Sequence, residues 1–265
     1  MTAVTLLFAA AAAALATQAT PPSQAKPAAT GPRPEDTEVW QPEPPVVVAP
    51  AYATVAPPSD AVVLFDGKSL DQWTSTKGNG PARWTVGDGV LTVRKGTGNI
   101  QTKRSFRNYQ LHLEWRVPAG ITGEGQARGN SGVFLGATGE GDGGYELQIM
   151  DSYRNKTYVN GQAGAIYKQI APLANPTRAP GEWQTYDIVW TAPVFAADGS
   201  VTSPAYATVM MNGVLVQDHV AVKGETVYIG APRYTPHGAL PIKLQDHGDP
   251  SAPISFRSIW LRELK

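Results

Sequence analysis

From Ala61 onward, apolar residues fall at every second position in short runs, and no stretch keeps the spacing of an amphipathic helix. "AVVLF" is the first run. "ARWTVGDGVLTVR" reads as two strands joined through Gly87-Asp88-Gly89. In "YQLHLEWRV" Leu111, Leu113, Trp115 and Val117 share one face, while His112, Glu114 and Arg116 share the other. "SGVFLG", "YELQIM", "GAIYKQI" and "WQTYDIVWTA" continue the pattern. In "AYATVMMNGVLVQDHV", Asn212-Gly213 between two apolar runs is a strong hairpin signal. "ISFRSIWLREL" closes the chain, with Ile254, Phe256, Ile259 and Leu261 as expected core. Many short strands separated by turn signals predict an all-β sandwich or barrel over 61–265.

One run, "YELQIMDS" (Tyr145 to Ser152), carries more polar residues than a buried strand needs. Alternation puts Glu146, Gln148 and Met150 on one face and Tyr145, Leu147, Ile149 and Asp151 on the other. A bulge would return Asp151 to the face of Glu146. The expected concave face holds Glu146 and Gln148, together with Glu114 and Arg116 from "YQLHLEWRV".

The segment before these strands differs in kind. Residues 1–19, "MTAVTLLFAAAAAALATQA", form an apolar run ending in small residues and read as a signal peptide, too short and Ala-rich for a membrane span. This predicts export to the periplasm or beyond, with no membrane span in the mature chain. Residues 20–60 form a Pro-rich extension: eleven of the 23 prolines lie between Pro21 and Pro58, which excludes regular helix or sheet interior. Trp40 and Val46-Val47-Val48 within it predict an extension partly ordered against the domain.

Composition narrows the functional classes. Lys+Arg and Asp+Glu are both 22, so the chain lacks the basic footprint of a nucleic-acid binder. With no cysteine, disulfides and thiolate metal sites are excluded. Glu, Asp and His would suit a divalent cation, but no ligand spacing specifies one, and no cofactor is identified.

Four clusters carry candidate chemistry. Glu146, Gln148 and Asp151 lie in a spacing close to the E-x-D-x-x-E signature of laminarinase-like β-glucanases, although two of its three positions differ; a hydrogen-bonded polar strand face explains them as well. "LQDHGDP" sets Gln245, Asp246 and His247 at a strand end, where a histidine beside a carboxylate can serve as a base. "RGNSGVFLG" offers Asn130, suited to sugar hydroxyls or simply to a turn. "GAIYKQIAP" offers Tyr167 and Lys168, the latter able to stabilise a developing oxyanion or to sit at the surface.

The order "LFDGKSLDQW", "GNSGVFLG", "YELQIMD", "GAIYKQIAP", "GEWQTYDIVW", "LQDHGDP…ISFRSIWLREL" resembles the 3-keto-disaccharide hydrolase family. That resemblance implies a concanavalin A-like jelly-roll β-sandwich in an exported bacterial protein, and an enzyme acting on glycosides oxidised at C3. The chemistry it implies needs a base at C2, an acid for the leaving group and a donor at the C3 oxygen. On this reading Glu146 and His247 are the proton-transfer pair, with Lys168 or Arg116 at the enediolate. Asn130, Gln148, Asp151, Tyr167, Gln245 and Asp246 are candidates to bind a carbohydrate substrate. A lectin-like module and a β-glucanase are the alternatives. The sequence is silent on oligomeric state.

Overall fold

The computed structural model describes residues 1, 31–53 and 55–265. The expected signal peptide therefore lies outside the described residues, apart from Met1. Pro32–Lys265 form one unit, built from antiparallel strands. Three short 3₁₀ turns, at Pro34–Thr37, Gly125–Ala127 and Val159–Gly161, supply the helical residues among those described. No helix of the described residues is long and apolar enough to cross a membrane.

Two sheets make the sandwich. The larger has eight strands, in the order Val214–Ala221, Tyr206–Met211, Gln184–Thr191, Tyr109–Arg116, Ser255–Glu263, Val90–Thr92, Thr85–Gly87, with Val62–Phe65 also paired to Ser255–Glu263. The smaller has five, in the order Trp73–Ser75, Ile100–Thr102, Lys243–Leu244, Ser131–Thr138, Gly143–Ile149. The hairpin signals are explained by backbone geometry. Asp88 and Gly89 have φ of 52° and 76°, and Asn212 and Gly213 have φ of 53° and 80°. Paired left-handed residues match the twist of the strands they join.

The core lies between the sheets. Leu111, Leu113 and Trp115 of the larger sheet and Val133, Leu135, Leu147 and Ile149 of the smaller are all buried in it. Each such side chain contributes roughly 1.5–3 kcal/mol by leaving water. Two tyrosines cross the layer: the Tyr109 hydroxyl donates to the Leu135 carbonyl at 2.5 Å, and the Tyr186 hydroxyl to the Gln148 carbonyl at 2.6 Å. Both tie one sheet to the backbone of the other, and the second holds the strand that carries Glu146.

The alternation in "YQLHLEWRV" holds, but its polar face points elsewhere than expected. Leu111, Leu113 and Trp115 face the core, so Glu114 and Arg116 face outward from the eight-stranded sheet. Leu147 and Ile149 face the same core from the opposite side, so Glu146 and Gln148 face outward from the five-stranded sheet. Glu114 and Arg116 thus lie on the opposite outer face from Glu146. Period-two alternation assigns residues to faces within a strand and says nothing about which sheet the strand joins. The back face is itself well ordered. Glu114 accepts from Tyr52 Oη at 2.8 Å and from Arg257 Nε at 2.5 Å, and His112 Nδ1 lies 2.7 Å from Asp187 Oδ1. Arg116 stacks on Trp183, 4.5 Å from the ring centre.

Part of the Pro-rich extension runs along this unit. Asn160 accepts from the Val39 N–H at 2.9 Å and donates to the Thr37 carbonyl at 2.9 Å. The Val47 N–H donates to the Asn175 carbonyl at 3.1 Å. Trp40 meets Tyr158 edge to face at 6.1 Å. Val46 and Val48, expected to pack, are 81% and 93% exposed. The attachment is chiefly by backbone hydrogen bonds, which a proline-rich segment in extended form leaves available.

Candidate functional site

The strand Gly143–Ile149 presents Glu146 and Gln148 on the outer face of the smaller sheet. Across the register, Phe134 is opposite Glu146 and Gly132 is opposite Gln148. A Cβ on Gly132 would fall 2.5 Å from Glu146 Oε1, so the glycine leaves the room in which the carboxyl lies. Above this face is a cavity of about 370 Å³. Six residues singled out from the sequence line it: Glu146 and Gln148, Asn130, Tyr167, Gln245 and His247.

The cavity floor is an amide network with two open positions. Gln148 Nε2 donates to Asn130 Oδ1 at 3.0 Å, and Asn130 Nδ2 donates to the Gln126 carbonyl at 2.9 Å. These bonds fix both amides. Gln148 Oε1 and Gln245 Oε1 are buried and have no partner among the described residues. An unpaired buried acceptor costs about 1–3 kcal/mol, and a sugar hydroxyl would satisfy it.

The two proton-transfer candidates sit in opposite environments. The described residues offer no hydrogen bond to the Glu146 carboxyl; its N–H donates to Thr226 Oγ1 at 3.1 Å. Burial pushes its carboxyl up to about 8, and the charge of Asp142 adds to that while Lys243 opposes it. His247 is one-third exposed, with Nδ1 3.1 Å from Asp249 Oδ2. Burial works against an ionised Asp249, but hydrogen bonds from His247, Ser251 and Lys95 outweigh it and hold this carboxyl well below its usual range. Asp249 engages Nδ1 twice, by this carboxylate and by its own N–H at 3.2 Å, so Nε2 is the ring nitrogen without a hydrogen bond among the described residues.

An aromatic wall closes one side. Tyr167 Oη lies 2.7 Å from Tyr158 Oη, and burial pushes the Tyr167 phenol up to about 12, so it remains a neutral hydroxyl. Tyr228, 60% exposed, lines the cavity beside it.

Four sequence candidates lie outside the lining. Lys168 turns away: its Nζ donates to the Pro34 carbonyl at 2.6 Å and the Tyr228 carbonyl at 3.0 Å. The expected strand "GAIYKQI" is instead a turn, with isolated bridges at Ile166 and Ile170 and a left-handed Lys168, φ 57°, so strand alternation does not apply there. Arg116 belongs to the other sheet. Asp151 follows the end of its strand at Ile149, with no bulge returning it. It is fully buried, 2.8 Å from Arg128 Nε and accepting the Tyr153 N–H at 3.0 Å. Asp246 accepts the Gly98 N–H at 2.9 Å. The first supports a chain crossing, and the last two hold turns.

Asp142, Thr226 and Tyr228 also line the cavity and went unremarked in the sequence, as did Lys243, on the same face as Glu146 across Phe134. For Lys243 a signal existed. In "KLQDH", alternation puts Lys243, Gln245 and His247 on one side. Asp142 and Tyr228 come from loops, where no period marks direction. Among the described residues, no three His, Asp or Glu side chains form a group able to hold a metal ion.

A concanavalin A-like sandwich with a polar, aromatic-walled cavity on its smaller sheet defines the class. Residues 60–262 match the model of the 3-keto-alpha-glucoside-1,2-lyase-like domain, and the chain belongs to that family. A Parabacteroides distasonis protein of known crystal structure, provisionally described as a glycosyl hydrolase, is 54% identical. Its superposition covers 87% of this chain and 96% of that chain with a TM-score of 0.76. A second structure from the same organism, described likewise, is 25% identical over 77% of this chain and 99% of its own, with a TM-score of 0.55. A 3-keto-disaccharide hydrolase of Bacteroides thetaiotaomicron is 26% identical over 157 residues, 48% of this chain and 51% of that protein. The chain thus spans about half the length of that relative.

Proposed function

We propose that this protein is a carbohydrate-active enzyme that cleaves 3-keto-glycosides, disaccharides or glucosides, by elimination at C1–C2 followed by hydration. The observation that carries the reading is the joint lining of one cavity by Glu146 and His247, with two unpaired amide acceptors beside them. The family and the name of the Bacteroides relative support the substrate class. The apolar run at residues 1–19 supports action after export.

A ketone at C3 acidifies the C2 proton. His247 Nε2 takes that proton, and the C2–H electrons move into the C2–C3 bond, giving an enediolate. The C3 oxygen then carries the charge, and the neutral Tyr167 hydroxyl is a donor within the same cavity. Collapse of the enediolate breaks the C1–O bond. Glu146, kept protonated by burial, gives its proton to the departing oxygen. One proton has been taken and one given. The product is a 2-hydroxy-3-keto-glycal, to which water adds across C1–C2. Gln148 and Gln245 hold ring hydroxyls.

The test is incubation with a 3-keto-glucoside and with its unoxidised parent in deuterated water. Cleavage of the keto sugar alone, with deuterium at C2 of the sugar product, is expected. Efficient hydrolysis of an unoxidised β-glucan would overturn the reading in favour of an oxocarbenium route, which leaves C2–H intact. Retention of the keto sugar without turnover would mark a lectin.

A further inference from the structure

Lys243 takes no part in the steps above, yet its side chain is fully buried. It is opposite Phe134 in register, as Phe134 is opposite Glu146, so all three share the outer face of the smaller sheet. Its Nζ lies 4.2 Å from the centre of the Phe134 ring. It donates to the carbonyls of Gly141 and Gly143 at 2.5 and 2.8 Å. Those two carbonyls bracket Asp142, whose Oδ1 accepts from Asn99 Nδ2 at 2.9 Å and which lines the cavity.

A buried ammonium that forms no direct ion pair among the described residues is costly to desolvate. An apolar side chain would fill the space above Phe134 more cheaply. What lysine adds is a donor for the turn and a charge that acts on the carboxyl groups of Asp142 and Glu146. We propose that Lys243 is a positioning residue for Glu146: it clamps the Asp142 turn over the sheet, and its charge governs the proton that Glu146 holds. The proposal rests on Glu146 as a proton-transfer group.

The groups facing Glu146 are few. Asp142 approaches from the turn, Lys243 from two strands away across Phe134, Tyr167 from the aromatic wall and His247 from across the cavity. Glu225 acts on Lys243 from the segment leading to Thr226, where Thr138 Oγ1 donates to it at 2.5 Å. Burial pulls the Lys243 ammonium down to about 8, against the charges of Asp142, Glu146 and Glu225. Each group's charge therefore acts on the other's proton.

The test is a carboxyl-carbon NMR titration of the full chain labelled at glutamate, with the Glu146 signal identified by its loss in Glu146→Gln. Lys243→Met should raise the Glu146 midpoint by about one pH unit or more, and Asp142→Asn, at an exposed residue, should lower it. Should Lys243→Met fail to fold, Lys243→Gln keeps a donor for the turn while removing the charge. A midpoint unmoved in the folded lysine variant, with only thermal stability lowered, would reduce Lys243 to a structural role and overturn the proposal. The alkaline limb of kcat/KM on a 3-keto-glucoside should follow the titration. Shifted midpoints in a protein that cleaves no 3-keto-glycoside would sink the functional reading while leaving the Lys243–Glu146 coupling intact.

Discussion

Glu146 works as an acid in this scheme only while it holds its proton. Since burial moves its carboxyl up to about 8, activity should hold through neutrality and fall as pH rises past about 8. Glu146→Gln should lose roughly 10²–10⁴-fold in rate, and the residual activity should lack that alkaline limb. His247→Ala should lose a comparable factor while keeping it. A rate that instead climbs through pH 8 would make Glu146 the base. Gly132 offers a gentler probe. Its backbone is ordinary and the colliding atom is the end of a flexible side chain, so Gly132→Ala should fold normally. It should displace the Glu146 carboxyl and cost about 10²-fold in kcat/KM; unchanged kinetics alongside an unchanged melting temperature would refute the placement.

The elements around the cavity suggest two further experiments. Lys168 joins the extension at Pro34 to the loop at Tyr228. Lys168→Met should cost about 1.5–3 kcal/mol, the range for hydrogen bonds to a charged group. It should also open the chain between Glu38 and Val47 to proteases; resistance equal to that of the parent would show the lysine is not the clasp. On the back sheet, burial opposes a charged His112, but Asp187 and Glu114 outweigh it and raise the imidazole to about 9. A raised folded pKa stabilises fully below the unfolded value near 6.5, and the gain disappears as pH rises through about 9. The thermal stability lost in His112→Gln should therefore be large at pH 6 and small above pH 9.5. A difference that does not vary with pH would contradict the charged pair.

These same elements show where sequence reading succeeds. Strand polarity was legible because period two is local: Glu146 and Gln148 were paired on one face from "YELQIM" alone. Asn212-Gly213 was legible because its turn needs left-handed residues. What escaped depended on relations between distant segments. Glu114 was assigned to the wrong face because sheet membership is set by pairing across long separations. Lys168 was misdirected because "GAIYKQI" forms a turn rather than a strand, and Asp151 by a strand that stops two residues earlier. Asp142 and Tyr228 sit on loops that carry no periodic signal. The extension's valines were read as apolar anchors, whereas backbone groups do most of the holding.

At the scale of the molecule, order in sequence and order in space disagree at one strand. Ser255–Glu263 is the latest strand in sequence, yet it lies inside the eight-stranded sheet, with Tyr109–Arg116 along one edge and Val62–Phe65 and Val90–Thr92 along the other. Until that strand arrives, two parts of the sheet have no common edge, and their backbone donors and acceptors lack partners. Contacts of such long separation fold slowly. A growing chain therefore cannot complete its larger sheet segment by segment as it emerges. It must stay unfinished, with strand edges exposed to mispairing, until Ser255–Glu263 has been made. For a protein proposed to cross a membrane before it works, that delay is an advantage: the strand that commits the sheet is written after every strand it joins.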